Sequence, residues 1–147
     1  NGCLAGLVAI TAPCAFVTIK ASLVIGVLAG IIVVAAVKLL DKLKIDDPVG
    51  AVPVHLCNGV FGTLCVGLFA VDGITGAATG NGLLNGGGAT LLMAQIKGIL
   101  ACGVYTLAIS LVFWFAIKAT LGLRVSPEEE AEGLDIGEHG EVAYIIR

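Results

Sequence analysis

Charged residues are scarce in this sequence. They make up 13% of its 147 residues, where soluble domains carry about 25%. With 58% hydrophobic residues and a mean hydropathy of +1.05, the chain has too little polar surface to be solvated by water, and a bilayer is its natural solvent. A basic patch is missing, so nothing points to nucleic acid. Neither an initiating methionine nor a basic segment followed by a cleavage site precedes the apolar sequence, which starts at Asn1; no signal peptide is recognised, and we expect a fragment of a longer chain. The five cysteines, Cys3, Cys14, Cys57, Cys65 and Cys102, lack C-x-x-C or metal-ligand spacing and read as small packing residues. No Ser/His/Asp or Cys/His nucleophile can be assembled. An enzyme is not expected, nor is a cofactor or a metal site.

What the sequence does have is long uncharged runs. A helical span needs about 20 mainly apolar residues to cross about 30 Å of hydrocarbon. Four segments qualify, at about residues 1–17, 20–38, 48–71 and 89–118, which predicts an all-α, polytopic membrane bundle. A cytoplasmic tail would occupy 119–147. Lys38, Lys42 and Lys44 lie between the second and third spans, and Lys118 and Arg124 follow the fourth, two crossings later. Lys20 alone offers positive charge on the other side before the glycine-rich loop at 73–88. The lysine loop and the tail are therefore expected in the cytoplasm. The net charge of -3 comes mainly from the tail, where Glu128, Glu129, Glu130, Glu132, Asp135, Glu138 and Glu141 cluster.

Asp47 before Pro48 predicts an N-cap and a first-turn proline for the third span. Ser126-Pro127-Glu128-Glu129 predicts a capping box on a short tail helix ending near Gly133. Gly26-x-x-x-Gly30, together with Gly59, Gly62, Gly67 and Ala70, marks helices that approach other protein closely, because in lipid small side chains rather than apolar burial permit tight association.

His55 is the most informative residue. It is an ionisable group about two turns into the third span, and such a group at membrane depth either faces a pathway or hydrogen-bonds a neighbouring helix. A neutral imidazole offers one donor and one acceptor, which suits a small polar substrate in an apolar pore. Thr11, near the end of the first span, lines a pathway or bonds back to its preceding turn, the second reading being favoured. Asn58 is expected to hydrogen-bond between helices, and Lys97 to snorkel from the fourth span. The Gly80–Gly86 stretch lacks phosphate-loop spacing and reads as a flexible loop; His139 has too few partners for zinc.

Several separated strings in order go further: Ala5-Gly-Leu-Val-Ala-Ile-Thr11-Ala-Pro-Cys14, Ile45-Asp-Asp-Pro-Val-Gly-Ala51 with Val54-His55, Gly59-Val-Phe-Gly62-Thr63, Gly122-Leu-Arg-Val-Ser126, and the tail's Glu132-Gly-Leu-Asp135 and Glu138-His-Gly-Glu-Val-Ala-Tyr144. Together they resemble ammonium transporters of the Amt/Mep/Rh family, over nearly the whole chain, as the last four of eleven membrane helices. The resemblance implies a homotrimer with one narrow hydrophobic pore per subunit, passing ammonium or ammonia. It matches His55 to the second of two pore histidines and Thr11 to a threonine near the pore. It also implies a tail that contacts a neighbouring subunit and a PII-type nitrogen regulatory protein. An ammonium sensor built on the same fold is the alternative. One departure is local: many members follow the histidine with glycine and a Val-Cys-Gly run, where this chain has Leu56-Cys57-Asn58-Gly59, a difference that bears on packing rather than on substrate. Lys97 stands where an uncharged or acidic residue is expected.

Overall fold

A computed structural model describes residues 1–75 and 80–142. The loop and tail readings that fall on 76–79 and 143–147, including Tyr144, lie outside the described residues. The chain divides into two compact units, Asn1–Val104 and Tyr105–Arg147. Among the described residues the elements are helical throughout, and three helical stretches are long and apolar enough to cross a membrane: Ile19–Lys42, Val52–Phe69 and Thr90–Thr120.

In the first unit, α1 is Gly2–Thr11, only 10 residues, shorter than the stretch expected to about residue 17. Pro13 is the physical reason. It has no N–H to give the carbonyl four residues back, that of Ala9, and the chain passes through turns in which Phe16 and Val17 both donate to the Pro13 carbonyl. The next helix, α2 (Ile19–Lys42), opens on Thr18, whose hydroxyl accepts from the Ala21 N–H at 3.3 Å. It runs to Lys42, past the expected end at Lys38, so part of the lysine loop is helix and places cations at the negative end of the helix dipole. Lys44, at φ 57, turns the chain out of it.

The third span begins later than its Asp-Pro signal predicts. Gly50 takes φ +75, a left-handed conformation that glycine adopts without steric cost, and its N–H returns to the Asp47 carbonyl at 3.1 Å. The Asp47 carboxylate then reaches over this turn and accepts from both Ala51 N–H (2.8 Å) and Val52 N–H (2.9 Å). Asp47 does cap the helix, but the proline in the first turn is Pro53 rather than Pro48. A π-helical segment, Val52–Cys57, leads into α3, Asn58–Phe69.

The core of this unit sits where α1, α2 and α3 meet. Ala9, Val17, Ile25, Ala29 and Cys65 form one buried cluster, and Ala5, Val33 and Val54 form a second, with Val8 packed against it. On α2 the packed face is Ile25, Ala29 and Val33, at intervals of four. The Gly26 and Gly30 pair expected to mediate close approach meets nothing within 4 Å. The close approach is made by α3 instead: a Cβ on Gly62 would collide with the carbonyl of Ala9. That is the carbonyl left without its helical donor by Pro13, so the proline and the glycine are two halves of one contact.

At the end of α3 the chain is tied rather than loose. Asn85 Nδ2 donates to the carbonyls of Phe69 (2.9 Å) and Ala70 (3.0 Å), which are C-terminal carbonyls with no helical partner. Gly82 N–H donates to Ala70 as well, and Asp72 N–H donates to Asn81 Oδ1. The described part of the glycine-rich stretch, expected to be flexible, thus caps a helix. The first residues of α4 (Thr90–Thr120) pack here, with Leu92 against Gly67.

The second unit holds the rest of α4 and two short helices, α5 (Pro127–Glu132) and α6 (Leu134–Gly137). The capping box on α5 forms as the sequence predicts, and Gly133 ends the helix at φ 88. Arg124 pairs with Glu130.

Candidate functional site

His55 stands in the middle of the π segment. A π-turn spreads one extra residue through the helix and changes the direction in which side chains leave it. Here it separates two faces cleanly: Pro53, Val54 and Asn58 are buried, while His55 and Leu56 between them are exposed. The imidazole is therefore presented on the outer surface of this chain, within a membrane-length helical stretch. Its backbone carbonyl accepts from the Asn58 N–H.

Thr11 is exposed at the end of α1, and its hydroxyl donates to the Leu7 carbonyl at 2.7 Å. This is the back-bond favoured from the sequence, and it leaves the hydroxyl oxygen able to accept. Leu4, Leu7, Thr11 and Cys14 form one exposed stripe, opposite the buried Ala5 and Ala9. α1 packs against both the π segment and α3, so the elements that carry Thr11 and His55 are neighbours in one unit.

Asn58 departs from its expected role. It is fully buried, and its Nδ2 donates at 2.8 Å to the Pro53 carbonyl of its own π segment rather than to another helix. Its Oδ1 has no partner among the described residues. Lys97 is exposed on α4. Hollows of about 220 Å³ beside Asn1 and Val33 and about 130 Å³ between α5 and α6 include neither His55 nor Thr11. Among the described residues no group of His, Cys, Asp and Glu could hold a metal ion. Sequence reasoning missed the π-turn; the Pro53 and Asn58 pair, five residues apart, was the signal that could have found it.

Long apolar helices tied by glycine contacts define a polytopic membrane protein. Comparison with known proteins sharpens this: residues 1–144 match the Ammonium Transporter Family, and the chain belongs to that family. It is 43% identical over 148 residues to ammonium transporter Amt2 of Archaeoglobus fulgidus, covering 98% of this chain and 31% of the relative. It is 41% identical to an ammonium transporter of Mycobacterium bovis, with the same two coverages. Among solved structures, a sensor Amt protein superposes with a TM-score of 0.80 at 37% identity, covering 94% of this chain and 33% of that one. Saccharomyces cerevisiae Mep2 gives 0.77 at 30% identity, over 85% and 29%. The chain thus spans about a third of the length of the relatives it matches.

Proposed function

We propose that this segment forms part of the conduction pathway of an ammonium transporter, with His55 lining a hydrophobic pore completed by chain beyond these residues. The observation that carries the reading is the outward presentation of His55 from a membrane-length helix in a member of this family. An ionisable side chain exposed at membrane depth needs something polar or aqueous beside it. Residues from the rest of a transporter facing that side of the π segment would supply such a passage.

Solvation gives the mechanism. An ammonium ion pays heavily to enter an apolar constriction, whereas neutral ammonia pays little. The ion is recruited outside and gives up its proton before or during passage. His55 hydrogen-bonds the travelling molecule with one ring nitrogen, takes up the proton the ion releases and passes it on toward the inner side, where it rejoins the ammonia, so that one positive charge crosses with each molecule. Thr11, with a free lone pair on its hydroxyl, is a second polar point on the pathway. The working assembly is a homotrimer in the cell membrane, with residues 119–147 in the cytoplasm; the tail, ordered at α5 by its capping box, docks on a neighbouring subunit and couples to a PII-type regulatory protein.

A second reading has one observation in its favour, the likeness to a sensor Amt protein: the same fold would bind ammonium and report it instead of conducting it. Electrogenic ammonium uptake into proteoliposomes by a full-length transporter containing this segment tests both. We expect an ammonium-dependent current that His55→Ala removes or alters in selectivity. A folded protein with neither an ammonium-dependent current nor ammonia flux is a receptor, and a current indifferent to His55→Ala removes the histidine from the pathway.

A further inference from the structure

Among the described residues, several side chains bond back to a carbonyl of their own helical stretch, Ser22 on α2 reaching three residues back to Ile19. Thr11, Thr63 and Thr120 each reach four residues back, to Leu7, Gly59 and Ala116, the span of an α-turn. Asn58 reaches five, to Pro53. Five is the period of the π-turn, and the π segment runs between these two residues, Val52–Cys57. In a regular α-helix the Pro53 carbonyl would receive the N–H of residue 57; here an amide side chain inserts into the ladder at that carbonyl, one recognised way of bending a helix. The amide is fixed in its orientation, because a carbonyl can only accept and so requires Nδ2 toward Pro53.

The other half of the same amide shows that this bond is kept at a cost. Oδ1 is buried with no partner among the described residues, and an unmet buried acceptor destabilises the fold that holds it. A leucine at this position would fill similar space at no such cost.

We infer that Asn58 is a positioning residue for His55: by clamping the Pro53 carbonyl it holds the π-turn open, and the π-turn sets the face on which the imidazole emerges. Without the clamp the segment relaxes toward an α-turn, which removes the extra residue and rotates His55 toward the buried side shared by Val54 and Asn58. His55's part in passage rests on the reading given above; its geometric dependence on Asn58 does not.

The test uses a full-length transporter containing this segment, folded as judged by monodisperse elution, with two readouts. The first is ammonium flux in a cycle of Asn58→Leu, His55→Ala and the double variant. Asn58→Leu is expected to reduce flux about tenfold or more, as misplacement of a working group does, and the double variant to be no worse than His55→Ala alone, since the two residues act as one unit. The second is the 15N resonance of the His55 imidazole in the bilayer, expected to shift in Asn58→Leu. Asn58→Ser covers the case in which the leucine does not fold: its hydroxyl is polar but reaches only three or four residues back, so it too is expected to shift the resonance. An unshifted resonance in a folded Asn58→Leu or Asn58→Ser protein overturns the inference, as does a double variant whose loss is the product of the two single losses. A shifted resonance in a protein with no ammonium flux upholds the clamp and sinks the transport reading instead.

Discussion

Two membrane-length stretches of this chain, Val52–Phe69, which ends in α3, and α4, are built on opposite plans. α3 buries Asn58, Gly62, Cys65, Val66 and Gly67 out of 12 residues, and two of its glycines approach neighbouring backbone so closely that a Cβ would collide. α4 has 31 residues and buries none; Gly98 and Gly103 have open space around them, and Tyr105, Phe113, Trp114 and Phe115 are all exposed. Both are equally apolar to the eye. Since apolar area gains little by moving from lipid to protein, hydrophobicity cannot tell the two apart. What differs is whether small residues coincide with a carbonyl or backbone on the neighbour. His55 stands in the π segment that leads into the packed helix.

That contrast breaks most sharply at Gly62. Gly62→Val drives a branched side chain into the Ala9 carbonyl, and we expect a loss of about 3 kcal/mol, the upper end of overpacking costs, read as a fall in thermal stability or in folded yield of the full-length protein. Gly103→Val on α4 is expected to stay within about 0.5 kcal/mol. Equal losses at the two sites would mean that α4 is packed against further protein as tightly as α3 is packed here.

The smaller test concerns how α3 is entered. Asp47→Ala removes the acceptor for two backbone donors, Ala51 and Val52, and should cost about 1–2 kcal/mol, as losing a good N-cap does; Asp47→Asn, which keeps one acceptor oxygen, should cost less. Chemical unfolding in detergent would show the order. If the asparagine variant is the less stable of the two, the carboxylate is not acting as the cap.

How much of this was open to sequence reading follows from what each feature depends on. The third span was legible because its interior holds a single ionisable residue other than cysteine, and His55 was picked out by that same scarcity. The tail helix was legible because a capping box is a local pattern of four residues. The start of α3 was displaced because Gly50 can take a left-handed turn, and nothing in Asp47-Pro48 announces that it will. α1 stops early because of Pro13, but the consequence, a bare Ala9 carbonyl for Gly62 to approach, requires knowing that residues 9 and 62 meet. The same holds for Gly26 and Gly30, whose spacing suggests an interface that this chain does not fill. Local chemistry survives translation to structure; pairing between distant residues does not declare itself in one sequence.

The tail supplies the gentlest contrast, since no apolar burial supports α5 and hydrogen bonds must hold it. Glu129 accepts from the Ser126 N–H at 2.9 Å and from its hydroxyl at 2.8 Å, while the Ser126 oxygen accepts from the Glu129 N–H. These bonds, the backbone one first, hold the Glu129 carboxyl below its ordinary value. A carboxylate with a depressed value in the folded state stabilises that state above its ordinary value, and the contribution fades as pH falls through the folded value. α5 should therefore be best formed near neutral pH and fray on acidification, seen as loss of amide protection at Glu129 and Glu130, with the α1–α3 core unaffected. Ser126→Ala should fray it at neutral pH, because the Glu129 N–H loses its acceptor, and weaken that acid dependence without abolishing it, because the bond from the backbone N–H of residue 126 remains. An acid transition that survives Ser126→Ala unchanged would place the responsible group among the other tail carboxylates.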